Sequence, residues 1–310
     1  MSNPTTPRII LDTDPGIDDA IAIITAARWS EIVGITTVAG NVPVDHTTVN
    51  ALKISELIGL DVPIHKGANE PLVSEPLHAR HVHGTTGLGE VNLPEPKKGP
   101  DSEDAVSFLI ETTREEEGLH LVPIGPLTNI ALALDKDPEI VNRVASITLM
   151  GGGVGIGNVT AAAEFNIFVD PHAADIVFRC GRPITVMPLD TTHQVITNKK
   201  ITEKIGKIGN RVGEIVKSML EFYNRFDKKK YGTDGGPLHD PCTIAYLLEP
   251  KIFVGKKVNL TVELQSKLTL GSTSVDFWSV TDRPKNVNWI YEVNSDLFFR
   301  LLIDKLSLLP

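Results

Sequence analysis

The sequence predicts an α/β fold: a single domain with an open, mostly parallel, Rossmann-like central sheet flanked by helices, and a small C-terminal β-containing extension. Three observations carry this. Short β-branched apolar runs alternate with helix-periodic segments at the spacing of βαβ units, as in residues 8–12, 18–29, 32–38 and 44–58. The runs are continuously apolar, as strands buried on both faces are. Acids, glycines and prolines collect just after the runs, at the strand ends where ligands bind in such sheets.

In chain order, Arg8-Ile-Ile-Leu-Asp12 is the first strand, and the Pro15-Gly16 pair turns the chain into a helix over 18–29. A strand over 32–38 ends at Ala39-Gly40-Asn41, a helix spans 44–58, and a short strand covers 62–65. Periodicity then vanishes from 66 to 100, where His78, His81, His83 and glycines 84, 87 and 89 occur. So long an irregular stretch is either a hinged loop over a site or a surface excursion. A helix over 103–115, a strand over 119–124 and a helix opened by Gly125-Pro-Leu-Thr-Asn129 restore the rhythm, with Pro126 suited to a first turn. The strand over 144–150 runs into a glycine-rich loop that fits no G-x-G-x-x-G register. Asp170-Pro171 caps another helix, 183–189 is a sixth strand, and 201–226 reads as one long helical region. Lys228, Lys229 and Lys230 read as its solvated end. The remainder alternates like strands over 254–262, 272–280 and 287–293 before a final helix over 296–306. With no repeat or linker in view, residues 1–310 read as one domain.

Composition narrows the function. The chain is 41% hydrophobic and 22% charged, as a folded globular protein is, and its net charge of -9 argues against nucleic acid or an anionic membrane as a partner. A small molecule is the expected ligand. Cys180 and Cys242 suggest neither a disulfide framework nor a zinc site. The N-terminal Met-Ser-Asn-Pro-Thr-Thr-Pro has no apolar core for a signal, and no stretch approaches the ~20 apolar residues of a membrane span, so a cytoplasmic protein is expected. The sequons at Asn158 and Asn259 then carry no glycan.

Asp12, Asp14, Asp18 and Asp19 crowd the turn after the first strand. Desolvated, uncompensated carboxylates are costly, so such a cluster at a buried strand end points to a cation or a polar ligand. The same residues also suit ordinary roles, with Asp18 and Asp19 as first-turn acids and Asp12 and Asp14 as turn formers. Asp240, before Pro241 at the mouth of a late helix, falls at the same rim of the sheet. An all-oxygen set favours Ca2+ or Mg2+ over zinc.

Asp12-Thr-Asp14-Pro-Gly-Ile-Asp18-Asp19-Ala resembles the DTDPGxDDA signature of the inosine-uridine-preferring nucleoside hydrolases. The likeness continues in family order through Gly40-Asn41, His83 to Gly89, Gly125-Pro-Leu-Thr-Asn129, Met150-Gly-Gly, Glu164-Phe165-Asn166 and His239-Asp240-Pro. The resemblance implies an N-ribohydrolase that splits ribonucleosides into ribose and free base with bound Ca2+, and an assembly that is a homodimer or homotetramer. Asp14, Asp19, Asp240 and the Ile124 carbonyl would hold the ion. Asp18, Asn41, Asn158, Glu164 and Asn166 would bind the sugar hydroxyls, Phe165 would line the sugar pocket, and His83 and His239 would face the nucleobase. Asp14 would be the general base. His239, with an unperturbed pKa of about 6.5, would be the acid for the leaving base. His46, His65, His120, His172 and His193 are expected to be structural or solvated, and Asp12 to orient its neighbours. A haloacid-dehalogenase-like Mg2+ phosphatase also opens acid-x-acid, but expects Thr or Val where Gly16 stands. A non-catalytic nucleoside- or ribose-binding protein is the other alternative.

Overall fold

The computed structural model describes residues 6–310, so residues 1–5 of the stretch read as lacking a signal lie outside the described residues. Among the described residues, nine strands form one sheet: β1 (Arg8–Thr13), β2 (Glu31–Thr37), β3 (Ile64–Lys66), β4 (His120–Pro123), β5 (Ser146–Met150), β6 (Ile184–Met187), β9 (Phe253–Val262), β10 (Thr273–Asp276) and β11 (Val287–Val293). Two more, β7 (Ile196–Asn198) and β8 (Gly235–Pro237), pair as a separate antiparallel ribbon. The sheet runs β10-β9-β11-β6-β5-β4-β1-β2-β3. Every pairing from β11 to β3 is parallel, and β9 and β10 are added antiparallel at one edge. The expected C-terminal β extension therefore prolongs the main sheet, with Val287 of β11 in register with Ile184 of β6.

Helices cover both faces. They are α1 (Ile17–Trp29), α2 (Val44–Ile58), α3 (Arg80–His83), α4 (Ala105–Glu115), α5 (Thr128–Lys136), α6 (Ile140–Arg143), α7 (Phe165–Val169), α8 (Pro171–Phe178), α9 (Leu189–Thr192), α10 (Lys199–Gly206), α11 (Arg211–Tyr231), α12 (Pro241–Leu248) and α13 (Ser295–Leu306). Strand alternation sorts β1 between two cores. Ile9 and Leu11 pack with α1, α2, α12 and α13 residues on one side, and Ile10 packs with α4, α5 and α8 on the other. Each such side chain, fully buried, contributes ~1.5–3 kcal/mol, which explains why both faces of β1 are apolar until Asp12.

Three local readings change. The long helix expected over 201–226 is two helices, because Gly209 takes a left-handed φ of 80° and Asn210 caps α11, accepting from Gly213 N–H at 2.8 Å. Pro126 lies before the N-cap of α5, Leu127, rather than in the first turn. The strand expected over 272–280 stops at Asp276, whose carboxylate accepts from the Val280 and Thr281 N–H groups and closes a turn instead. The 66–100 stretch contains one helical turn, α3, and is tied down by buried Leu88 and Leu93 and by Asn50, whose amide donates to the Pro15 and Thr86 carbonyls. No helix among the described residues is long and apolar enough to cross a membrane.

Candidate active site

The order β3-β2-β1-β4-β5-β6 reverses direction between β1 and β4, and in open α/β sheets ligands bind at that crevice, beyond the carboxyl ends of the strands. The turn after β1 carries Asp14, the first turn of α1 carries Asp18 and Asp19, and the loop after β4 carries Ile124. Asp12, still inside β1, is clamped: its Oδ1 accepts from Thr36 Oγ1 at 2.6 Å and from Asn129 Nδ2 at 2.8 Å. Asn129 also donates to the Thr37 carbonyl at 3.0 Å and accepts from Ala68 N–H at 2.8 Å. Asp12 thus ties β1, β2 and α5 together beneath the site.

Asp19 is held by four donors. Thr13 Oγ1 (2.6 Å) and Asp14 N–H (3.2 Å) reach Oδ1, while Gly16 N–H (3.0 Å) and Asn41 Nδ2 (3.0 Å) reach Oδ2. Asn41 also donates its backbone N–H to Asp14 Oδ2 at 2.7 Å and its amide to the Asp14 carbonyl at 3.2 Å. Asn41, expected on the sugar, is therefore first a brace for two carboxylates. Asp240 is the N-cap residue of α12 yet makes no capping hydrogen bond, which leaves its side chain to the cluster.

The donor set fits a hard divalent cation. Oxygens of Asp18, Asp19 and Asp240 lie within 4.8 Å of one another, all three residues buried, and Asp14 Oδ1 is buried with no hydrogen-bond partner. Burial pushes all four carboxyls above their ordinary pKa, Asp18 to about 8, and the neighbouring acids push Asp14 and Asp240 further. Carboxylates this close and this buried disfavour one another's ionised form. A divalent cation relieves that, because it compensates the charge that burial disfavours. Ile124 lines the same cavity, and its carbonyl accepts from Asn166 Nδ2 at 2.9 Å, keeping a second lone pair.

A cavity of about 460 Å3 opens above this cluster, and Asp18, Asn41, His83, Ile124, Asn158, Glu164, Phe165, Asn166, His239 and Asp240 all line it. Of the twelve expected site residues, the two that do not line it are Asp14 and Asp19, which sit beneath, bonded to Asn41. Glu164 was not expected to start a helix, but it caps α7: its carboxylate accepts from the Asn166, Ile167 and Gly152 N–H groups at 2.9, 3.2 and 3.0 Å. Burial nonetheless raises its pKa to about 7. Asn158 accepts from Phe165 N–H through Oδ1 at 2.9 Å, and its carbonyl accepts from Lys230 Nζ at 2.9 Å. Lys230 therefore straps the 154–163 loop to the end of α11 instead of serving only as solvated charge.

The cavity lining is also imidazole and aromatic: His83, His193, Tyr223, Phe226 and His239. Ile17 N–H donates to His83 Nδ1 at 3.0 Å, and burial lowers the His83 pKa to about 3. His239 is buried beside His193 and His83, so its pKa falls well below 6.5 and the free-imidazole value expected of it does not carry over. Its Nδ1 lies 2.7 Å from Thr192 Oγ1, a partner that sequence reading missed because α9 is a single turn with no periodic signal. His193, expected to be structural, also lines the cavity, 5.6 Å from the His239 ring. His65 is structural, stacked on Phe108 and bonded to Ser102. Both cysteines are free.

Residues 9–300 match the model of the inosine-uridine preferring nucleoside hydrolases. Uncharacterized protein C1683.06c of Schizosaccharomyces pombe is 48% identical over 309 residues, 98% of this chain and 100% of that protein. The pyrimidine-specific ribonucleoside hydrolase RihA of Shewanella sp. (strain ANA-3) is 45% identical over 312 residues, covering 99% of this chain and 97% of its own. The solved purine-preferring ribonucleoside hydrolase of Gardnerella vaginalis superposes with a TM-score of 0.91 at 34% identity, over 97% of this chain and 98% of that one. Neither phosphatase nor bare binding protein explains a match of this length, and the chain belongs to the inosine-uridine preferring nucleoside hydrolase family.

Proposed function

We propose that this protein hydrolyses the N-glycosidic bond of ribonucleosides, with inosine and uridine as representative substrates, to ribose and free base, and that Ca2+ is its cofactor. The observation that carries the reading is one 460 Å3 cavity that joins a buried carboxylate cluster to imidazole and aromatic side chains. Asp14, Asp19, Asp240 and the Ile124 carbonyl would hold the cation. When bound, such a cation supplies charge that orients sugar hydroxyls and water and makes that water more acidic.

Asp14 takes the proton of the attacking water, whose oxygen forms the new bond to C1′. The bond from C1′ to the base nitrogen breaks, and its electron pair leaves with the base. Positive charge builds on the ribosyl ring on the way, and the acids and amides around it (Asp18, Glu164, Asn158, Asn166) stabilise that charge. Phe165 packs beside the sugar. His83 and His239 face the departing base, where His239 is the candidate donor of the proton that the base nitrogen takes up. The named relatives divide between pyrimidine-specific and purine-preferring enzymes. The substrate class proposed is accordingly ribonucleosides, acted on by a homodimer or homotetramer.

The test is a panel of ribonucleosides assayed for reducing sugar with and without exhaustive chelation. Ribose release that chelation abolishes and Ca2+ restores is expected. Phosphate release from a simple phosphomonoester with nucleosides untouched would overturn the reading, as would nucleoside binding without turnover.

A further inference from the structure

The loop over 154–163 lines the cavity through Asn158, Val159 and Thr160. The N–H groups of those three residues all converge on the Ala163 carbonyl, at 3.1, 3.4 and 3.5 Å. Such bonds fix the shape of the loop, but its place against the cavity needs ties to other elements. Val154 N–H supplies one, to Asp190 Oδ2 at 2.9 Å. The tie that reaches Asn158 itself comes from α11: Lys230 Nζ donates to the Asn158 carbonyl at 2.9 Å, and between an ammonium and a carbonyl the donor is fixed by type. Lys230 is steadied within its own helix. Its Nζ stands 5.3 Å from the centroid of the Phe226 ring one turn earlier, and that ring meets the His81 ring of α3 edge-on at 5.3 Å. His81, Phe226, Lys230 and Asn158 all line the cavity, so a chain of side chains runs from the 66–100 segment through the end of α11 to the 154–163 loop.

The Asn158 side chain is oriented as firmly as its backbone. Phe165 N–H can only donate, so the amide atom 2.9 Å from it is Oδ1, and Nδ2 makes no hydrogen bond among the described residues. Resting on the nucleoside hydrolase reading above, we infer that Lys230 is a positioning residue: by holding the Asn158 carbonyl it keeps the 154–163 loop in place and the Asn158 Nδ2 donor ready for a sugar oxygen. Lys230 acts through Asn158. The bond from Nδ2 to that oxygen is already made in the bound nucleoside, so the larger part of what Lys230 contributes falls on KM and the smaller part on kcat. The three lysines at the end of α11 thereby part company, since Lys230 has a place in the site that a merely solvated helix end does not require.

The experiment compares Lys230→Met, which keeps an unbranched stem beside Phe226 and removes the donor, with Lys230→Arg, which keeps a cationic donor. Lys230→Met is expected to raise KM for inosine and uridine about tenfold, the scale of one lost hydrogen bond to a charged group, with kcat within about threefold of wild type. Lys230→Arg should restore most of the binding. In an Asn158→Ala background Lys230→Met should raise KM no further, as expected of a residue that acts through the Asn158 side chain. Without substrate, amide hydrogen exchange over 158–163 should quicken in Lys230→Met and stay near wild type in Lys230→Arg. A wild-type KM in Lys230→Met, or the same rise with and without the Asn158 side chain, would overturn the inference. Absence of ribose release by the wild type would instead overturn the functional reading, while hydrogen exchange in the two variants would still decide whether Lys230 holds the loop.

Discussion

Gly125→Ala is the sharpest test of where the Asp14 carboxylate must stand. The backbone at Gly125 is not left-handed, so alanine is conformationally acceptable there, but a Cβ would lie 2.5 Å from Asp14 Oδ1 and 3.0 Å from its Cγ. Ordinary contact begins near 3.4 Å, so the carboxylate would have to retreat about 1 Å. It has little room to do so. Its other oxygen is bound by Asn41 N–H at 2.7 Å, and Gly40 crowds the same group from behind. Misplacing a reacting group by ~1 Å costs ~100-fold in rate, which is about 2.7 kcal/mol of barrier. Overpacking should also cost ~1–3 kcal/mol of stability. The assay is kcat for uridine and inosine together with the melting temperature, with Gly99→Ala as control because nothing lies within 4 Å of its Cβ. A Gly125→Ala enzyme within threefold of wild-type kcat would refute the reasoning.

Asp14→Ala should abolish ribose release, and full activity in that variant would remove Asp14 as the base. Asp12→Ala should destabilise the protein by ~1–3 kcal/mol in urea unfolding, because Thr36 and Asn129 lose their common acceptor; an unchanged midpoint would show the clamp to be idle. Stability of the chelated protein should depend on pH in a direction set by burial, which raises Asp18 from 3.8 to about 8 and Glu164 from 4.5 to about 7. Raised folded-state values mean that this contribution is full below the ordinary values and is lost as pH rises through about 7 and 8, so the chelated protein's melting temperature should fall across that window. Saturating Ca2+ favours the ionised cluster and should flatten the fall, besides adding ~2.7 kcal/mol at a hundredfold excess over its Kd. Identical slopes with and without Ca2+ would contradict a cation site at these carboxylates.

What was legible in the sequence is what a local signal can carry. α2 begins and ends where its periodicity does, and the parallel strands declared themselves as apolar runs because two cores press on them. The acid cluster was legible for the opposite reason: four carboxylates between residues 12 and 19 have no compensating charge in the local chain. Features made by distant pairing left no such trace. Asn129 meets Asp12 across 117 residues and Thr192 meets His239 across 47, and neither partner's type announces the other. Short elements escaped as well, since α6, α7, α9, β7 and β8 have three to five residues and span too little for a period to register.

The chemistry of His239 shows why residue type alone underdetermines role. Its ordinary pKa near 6.5 suggests an acid, and burial beside two other imidazoles lowers that pKa, so its environment and not its type sets how readily it gives up a proton. The same burial acts in the opposite sense on the carboxylates a few ångströms away, holding them toward the protonated form until a cation compensates them. One low-dielectric cavity thus lowers the imidazole pKa values and makes the acids a cation trap. The two effects are complementary in the proposed reaction: the carboxylates accumulate negative charge against a ribosyl ring becoming positive, while the imidazoles offer N–H groups to a base becoming negative.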